Sequence, residues 1–147
     1  MAAKSDYLEN KIIDWFFRGQ AFTPPSTIYI GLLTVNTDDD GSPLTGVSGG
    51  SYARVAIPSS LANWAGTQGA GTTTASSGTS GTTSNNSVIT FPAPTANWGT
   101  IVGLFLADAP SGGNMLAYGG LTASKTINSG DLAPVILAGA LQFQEDN

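Results

Sequence analysis

Five aspartates stand where the chain could do chemistry: the run Asp38, Asp39 and Asp40, and the separated pair Asp108 and Asp131. A run of carboxylates suggests calcium, but the ligand spacing of an EF-hand loop, with its glycine and distal glutamate, is absent. The segment NTDDDGSP, Asn36 to Pro43, reads instead as a turn with a solvated acidic tip. A spaced acid pair is the equipment of glycoside cleavage. Asp108 and Asp131, however, sit in DAPSGGN and NSGD, turn sequences in which an aspartate bonds its own backbone. His and Cys are missing altogether, so the usual bases and thiolate nucleophiles do not exist here. Serine and threonine are abundant, yet each needs an activating base, and Lys125 is the one lysine in the β-rich region. No glycine cluster precedes a lysine and a helix, so a phosphate loop is also excluded. The sequence therefore predicts no catalytic residues, no metal and no cofactor.

What remains to be positioned is a set of apolar and aromatic residues. The chain has 147 residues, 41% of them hydrophobic, enough for one domain with an ordinary core. Glycine-rich turns between short runs of β-branched and aromatic residues predict an all-β fold, a sandwich or jelly-roll-like arrangement, as a single domain over 1–147. One helix is expected over 5–18: Ser5 or Asp6 caps it, Asp14 and Arg18 pair at i,i+4, and Gly19 ends it. Leu8, Ile12, Trp15 and Phe16 form a face expected to pack on the β-domain. Tyr7, Ile13 and Phe17 add a second apolar surface, available for contact between subunits.

Strands are expected at TIYIGLLTV (27–35), SYARVAI (51–57), SVITF (87–91), TIVGLFLA (100–107), MLAYGGLT (115–122), SKTI and PVILAGALQF (134–143). In the last, Val135, Leu137, Leu141 and Phe143 are expected to share a buried face. DAPSGGN joins two of the strands as a hairpin. Between strands lies AGTQGAGTTTASSGTSGTTSNNS, Ala65 to Ser87, which has no charge, ring or proline. Ordering a residue costs roughly 1 to 2 kcal/mol of backbone entropy, and small polar side chains return little buried area. The tract's own domain or a neighbouring molecule must hold it, and the expectation is an arm or loop ordered by the neighbour. The tripeptide Ala-Asn-Trp occurs on either side of it, and stacking of Trp64 on Trp98 would bring its ends together.

The formal charge is -5 with five Lys plus Arg, which removes the electrostatic basis of most nucleic-acid binding. Between Arg54 and Asp108 there is no Asp, Glu, Lys or Arg, a neutral expanse that suggests contact with other protein. No apolar run reaches the roughly 20 residues that span a bilayer, and no signal-peptide pattern opens the chain. Synthesis in a bacterial cytoplasm, with no membrane partner, is expected.

The stretches DYLENKIIDWFFRGQAFTPPSTIYIGLLT, SGGSYARVAI, ITFPAPTANWGTIVGLFLADAPSGGNMLAYGGLT and KTINSGD together resemble a family of small tailed-phage virion proteins. Members are labelled tail-fibre-like, structural, or capsid cement (decoration) proteins. The resemblance implies a non-enzymatic virion component. As cement, it would sit on the capsid exterior as a homo-oligomer, clamping the major capsid protein. The compact domain, lacking a shaft, favours cement over the alternative, a tail-fibre protein binding a host glycan through Trp64 and Trp98. Tyr7, Trp15, Phe17, Phe22, Trp64 and Trp98 are the interface candidates.

Overall fold

The computed structural model describes residues 3–41 and 44–145; Ser42 and Pro43 of the expected acidic turn lie outside the described residues. The elements are β1 (Ala3–Lys4), α1 (Asp6–Arg18), β2 (Thr27–Leu33), β3 (Val55–Pro58), β4 (Thr82–Ser84), β5 (Ile89–Thr90), β6 (Gly99–Ala107), β7 (Met115–Ile127), β8 (Val135–Ile136) and β9 (Gln142–Gln144). The fold is all-β with a single N-terminal helix, as the composition predicts. A five-stranded sheet in the order β1-β7-β6-β2-β3 is joined by the two-stranded sheets β4-β9 and β5-β8.

The main sheet separates two apolar clusters. On one face Ile30, Leu32, Ile101 and Ile127 pack with Ile89, Phe91 and Trp98 of the covering layer. On the other, Leu33, Phe105, Ala107 and Met115 pack with Leu44 and Tyr118. A register shift lets β6 serve both: Ile101 pairs with Lys125 but Gly103 with Gly120, so Leu121–Ser124 bulge opposite Val102. Ile101 and Leu104 thereby turn toward the same cluster although they are three residues apart, which strict alternation forbids. Gly31 is required on the second face, since a Cβ there would lie 2.2 Å from the Phe105 ring. Over that ring stands the Arg54 guanidinium, 4.7 Å from its centroid. Arg54 donates to the Ala109 and Gly112 carbonyls at 2.7 and 2.9 Å, fastening the β6–β7 turn. Burial lowers its pKa.

The expected strand from Ser51 begins only at Val55. Upstream of it the Tyr52 side chain takes over: its phenol oxygen accepts from the Leu32 N–H at 2.8 Å. The ring stacks on Phe91 and meets Trp98 edge-on. Burial raises the Tyr52 pKa from 10.0, partly opposed by the Leu32 hydrogen bond and the Arg54 charge. The folded phenol thus ionises later than the unfolded one, so its contribution to stability is complete below pH about 10 and falls as pH rises beyond it. Tyr52→Phe is expected to cost about 1 to 3 kcal/mol at neutral pH by orphaning the Leu32 N–H. Relative to the parent, the variant should lose less stability between pH 9 and 11, measured by urea unfolding at each pH.

Three expectations are corrected. The carboxy-terminal run is not one strand: β8 and β9 are separated by a turn in which Gly139 has φ 76°. Leu141 packs on the core as expected, but at β8 Ile136 faces inward while Val135 and Leu137 are 53% and 64% exposed, the reverse of the facing expected there. Helix α1 packs only part of the expected face: Leu8 and Ile12 are half-buried, Leu8 beside Leu116 of β7, while Trp15 and Phe16 are exposed, and none of its residues is fully buried. It is held by its first turn, where the Ser5 hydroxyl accepts from Leu8 N–H and donates to the Met115 and Leu116 carbonyls, and Asp6 N–H donates to Asp39. The last turn, closed by Gly19 at φ 67° and the Arg18–Asp14 pair, stands free of the sheet.

The third correction concerns the hydroxyl-rich tract, which folds on itself within the single chain. Its ends meet through the Trp64–Asn85 bridge and the bonds Ala65 N–H to Ser84 and Asn86 N–H to Asn63, both 2.8 Å. The two tryptophans do not stack: Trp98 is buried edge-on to Tyr52 and donates its indole N–H to Gly50 at 2.9 Å. Within the loop, Thr67 Oγ1 donates to the Gly78 carbonyl and accepts the Gly78 N–H, and Gln68 reaches the Ala75 carbonyl at 2.7 Å. Gly78 permits that approach, because a Cβ would meet the Thr67 carbonyl at 2.2 Å. Short hydroxyl side chains substitute for apolar burial by saturating the loop's own backbone.

Candidate assembly site

The spaced aspartate pair that could have done chemistry is occupied locally. Asp108 accepts from the Asn114 backbone and side-chain N–H groups, both at 2.7 Å, and Asp131 accepts from the Asn128 N–H at 2.7 Å. Each closes its own turn, as the turn sequences predict. Among the described residues no three carboxylates gather in a metal-binding group. Asp38 and Asp39 do share a surface with Asp6 and Glu9 around Tyr118. Burial first, then the charges of Asp39, Asp38, Glu9 and Asp6, raise that phenol's pKa.

The feature the fold leaves uncovered is aromatic. On α1, Trp15, Phe16 and Phe17 are 55%, 68% and 76% exposed, with Ile13 beside them at 49%. Their rings touch edge to face, with centroids 6.2 Å apart for Trp15–Phe16 and 5.0 Å for Phe16–Phe17. Consecutive helical residues diverge by about 100°, so the three rings wrap the helix end. A flat partner covers two of them at most; an enclosing one covers all three. At roughly 200 Å² per aromatic side chain, this ridge presents on the order of 400 Å² of apolar surface.

At the foot of the helix lies an apolar groove of about 280 Å³, lined by Leu8 of α1, Phe22, Pro24, Ile28 of β2, Leu116 of β7 and Phe143 among others. Pro24 and Pro25 carry the chain from the end of α1 to β2 along this groove without backbone donors to satisfy. Of the residues singled out in the sequence, Trp15 and Phe17 belong to the ridge and Phe22 and Trp64 line the groove, whereas Tyr7 is half-buried in a separate cleft with Asp40, Leu44 and Met115. Trp98 lies apart, in the core. The structure thus brings the helix and the Phe22 segment together, and it adds Pro24, Leu116 and Phe143, which the sequence reading passed over. Phe143, expected from the sequence on a buried strand face, lines the groove instead.

A family model described as podophage GP4 fiber I protein gp80 matches residues 3–144. No curated protein matches the chain. Among the described residues no helix is long and apolar enough to cross a membrane.

Proposed function

The chain belongs to the podophage GP4 fiber I protein gp80 family of phage virion structural proteins, and on that premise we propose that it is a non-enzymatic building block of a phage fibre whose copies associate through the α1 ridge. The match over nearly the whole chain carries this reading. The ridge supports it: a chain that works alone has no use for three rings left in water, whereas a multi-copy assembly covers them. A stable interface removes about 800 Å² from each partner. The ridge alone supplies roughly half of that. The adjoining apolar groove extends that surface toward β2 and β7.

The hydroxyl-rich tract, a self-bonded loop rather than a reaching arm, lends no support to a capsid-cement role. Glycan binding on a Trp64–Trp98 platform is also disfavoured, because Trp98 is buried. Counting and locating the protein in purified virions decides the assignment. Fibre membership predicts copies confined to fibres; a copy number near that of the major capsid protein, spread over the head, would restore the cement role.

A further inference from the structure

We propose that the slot between β7 and β9 receives an extended, uncharged segment of another virion chain as an added strand; only the source of that segment rests on the fibre reading. The slot has a volume of about 460 Å³ and is bounded by residues 117–122 on one side and 140–144 on the other, with Trp64 among its lining residues. None of the residues lining it is charged.

Both walls are strand edges with backbone groups to spare. On β7, Ala3 pairs with Tyr118 and Ser5 N–H donates to the Leu116 carbonyl, so Leu116 and Tyr118 turn their backbone groups outward. The two-residue period places Gly120 next in that row. Among the described residues nothing bonds the outward groups of Gly120. On β9, the bonds Asn85 N–H to Leu141 and Glu145 N–H to Gly81 fix Leu141, Phe143 and Glu145 as the residues that face β4. Gln142 and Gln144 therefore present their N–H and C=O groups to the opposite edge. The β1 residue Lys4, registered opposite Ala117, pairs with Glu145 at 2.7 Å and fastens one end of the slot.

The lining matches a strand rather than a compact ligand. Gly119 and Gly120 raise no side chain into it, and a Cβ on Gly120 would meet nothing closer than the Val102 carbonyl at 3.9 Å. Leu104, Leu106 and Trp64 offer apolar surface to every second residue of an incoming chain. Trp64 also has a buried indole N–H with no hydrogen-bond partner, and a backbone carbonyl is the acceptor it lacks. The open stretch from Gly119 to Thr122 accommodates about four residues. Strand addition draws affinity from the main-chain bonds and selectivity from the alternating side chains.

The test titrates the purified protein with a six-residue peptide of alternating threonine and valine, blocked at both ends, following the amide signals by NMR. Shifts confined to Gly120, Gln142, Gln144 and the Trp64 indole support the slot. Gly120→Pro removes the outward donor from an edge position where proline is tolerated, and should weaken the shifts at least tenfold without lowering the melting temperature. Gln142→Pro makes the same test from the β9 side. Absence of shifts at these amides up to millimolar peptide, or shifts unchanged in both variants, overturns the proposal. Because no particles are involved, this outcome is independent of the virion count that tests the fibre assignment.

Discussion

Asn85→Ala is expected to destabilise the protein by about 3 kcal/mol, the largest effect of any single polar substitution in the molecule. Asn85 is 1% exposed and joins three segments. Its side-chain amide donates to the Ser87 and Leu137 carbonyls at 2.8 and 2.9 Å, and its oxygen accepts from the Leu141 N–H at 2.9 Å. Its backbone pairs with Leu141, accepts from Gly139 and bridges to Trp64. Alanine deletes three hydrogen bonds of about 1 kcal/mol each and strands the Leu141 N–H; the Ser87 and Leu137 carbonyls, on exposed residues, recover water. For a chain of this size the melting temperature should fall by roughly 6 to 12 °C.

Asn85→Asp separates hydrogen bonding from shape. The carboxylate keeps an acceptor for Leu141 but sets a negative oxygen against two carbonyls, which favours its protonated form. The folded-state pKa is then raised, so the variant should be most stable below the ordinary carboxyl range and lose stability as pH rises through it. Calorimetry at pH 4 and pH 7 reads both variants. A melting temperature for Asn85→Ala within 2 °C of the parent would mean that the knot contributes nothing.

That knot also marks where sequence reading stopped. The strands of the main sheet were legible because their apolar residues are dense and bounded by turns: Thr27–Leu33, Gly99–Ala107 and the start of Met115–Ile127 fall where expected. The Ser5 cap, the Gly19 stop and the Asp108 turn were legible for the same local reason, a side chain bonding its own neighbourhood. What was hidden is non-local. Asn85 lies at the end of a hydroxyl-rich tract, and no short-range pattern announces that its amide binds residues 52 and 56 positions away. The β6–β7 bulge and the Gly139 turn likewise alter which residues face inward without changing the apolar composition that suggested strands. The helix was misread for the opposite reason. Its amphipathic spacing is real, but the pattern records a surface to be covered and does not say whether the same chain covers it.

Replacing Trp15 and Phe17 together by alanine should leave the fold intact and abolish association, and the contrast between the two is what identifies the ridge as an interface. Both side chains are more than half exposed and on a helix, where alanine is the better helix former, so folding stability should stay within about 0.5 kcal/mol of the parent. At a contact the expectation is different in kind. An aromatic anchor enclosed by a partner costs about 2 kcal/mol when truncated, and two of them about 4 kcal/mol, close to a thousandfold in association constant. Sedimentation of the parent and the double variant over a wide concentration range reads this directly, as does the number of copies retained in purified particles. The ridge reading survives only if mass and copy number drop while the melting temperature holds. If the double variant assembles like the parent, copies of the chain meet through another surface. If it fails to fold, the last turn of α1 is part of the core after all. Phe22→Ala, in the groove rather than on the ridge, gives the complementary result. It should weaken association and also cost some stability, because Phe22 is half-buried against the groove that the same chain builds.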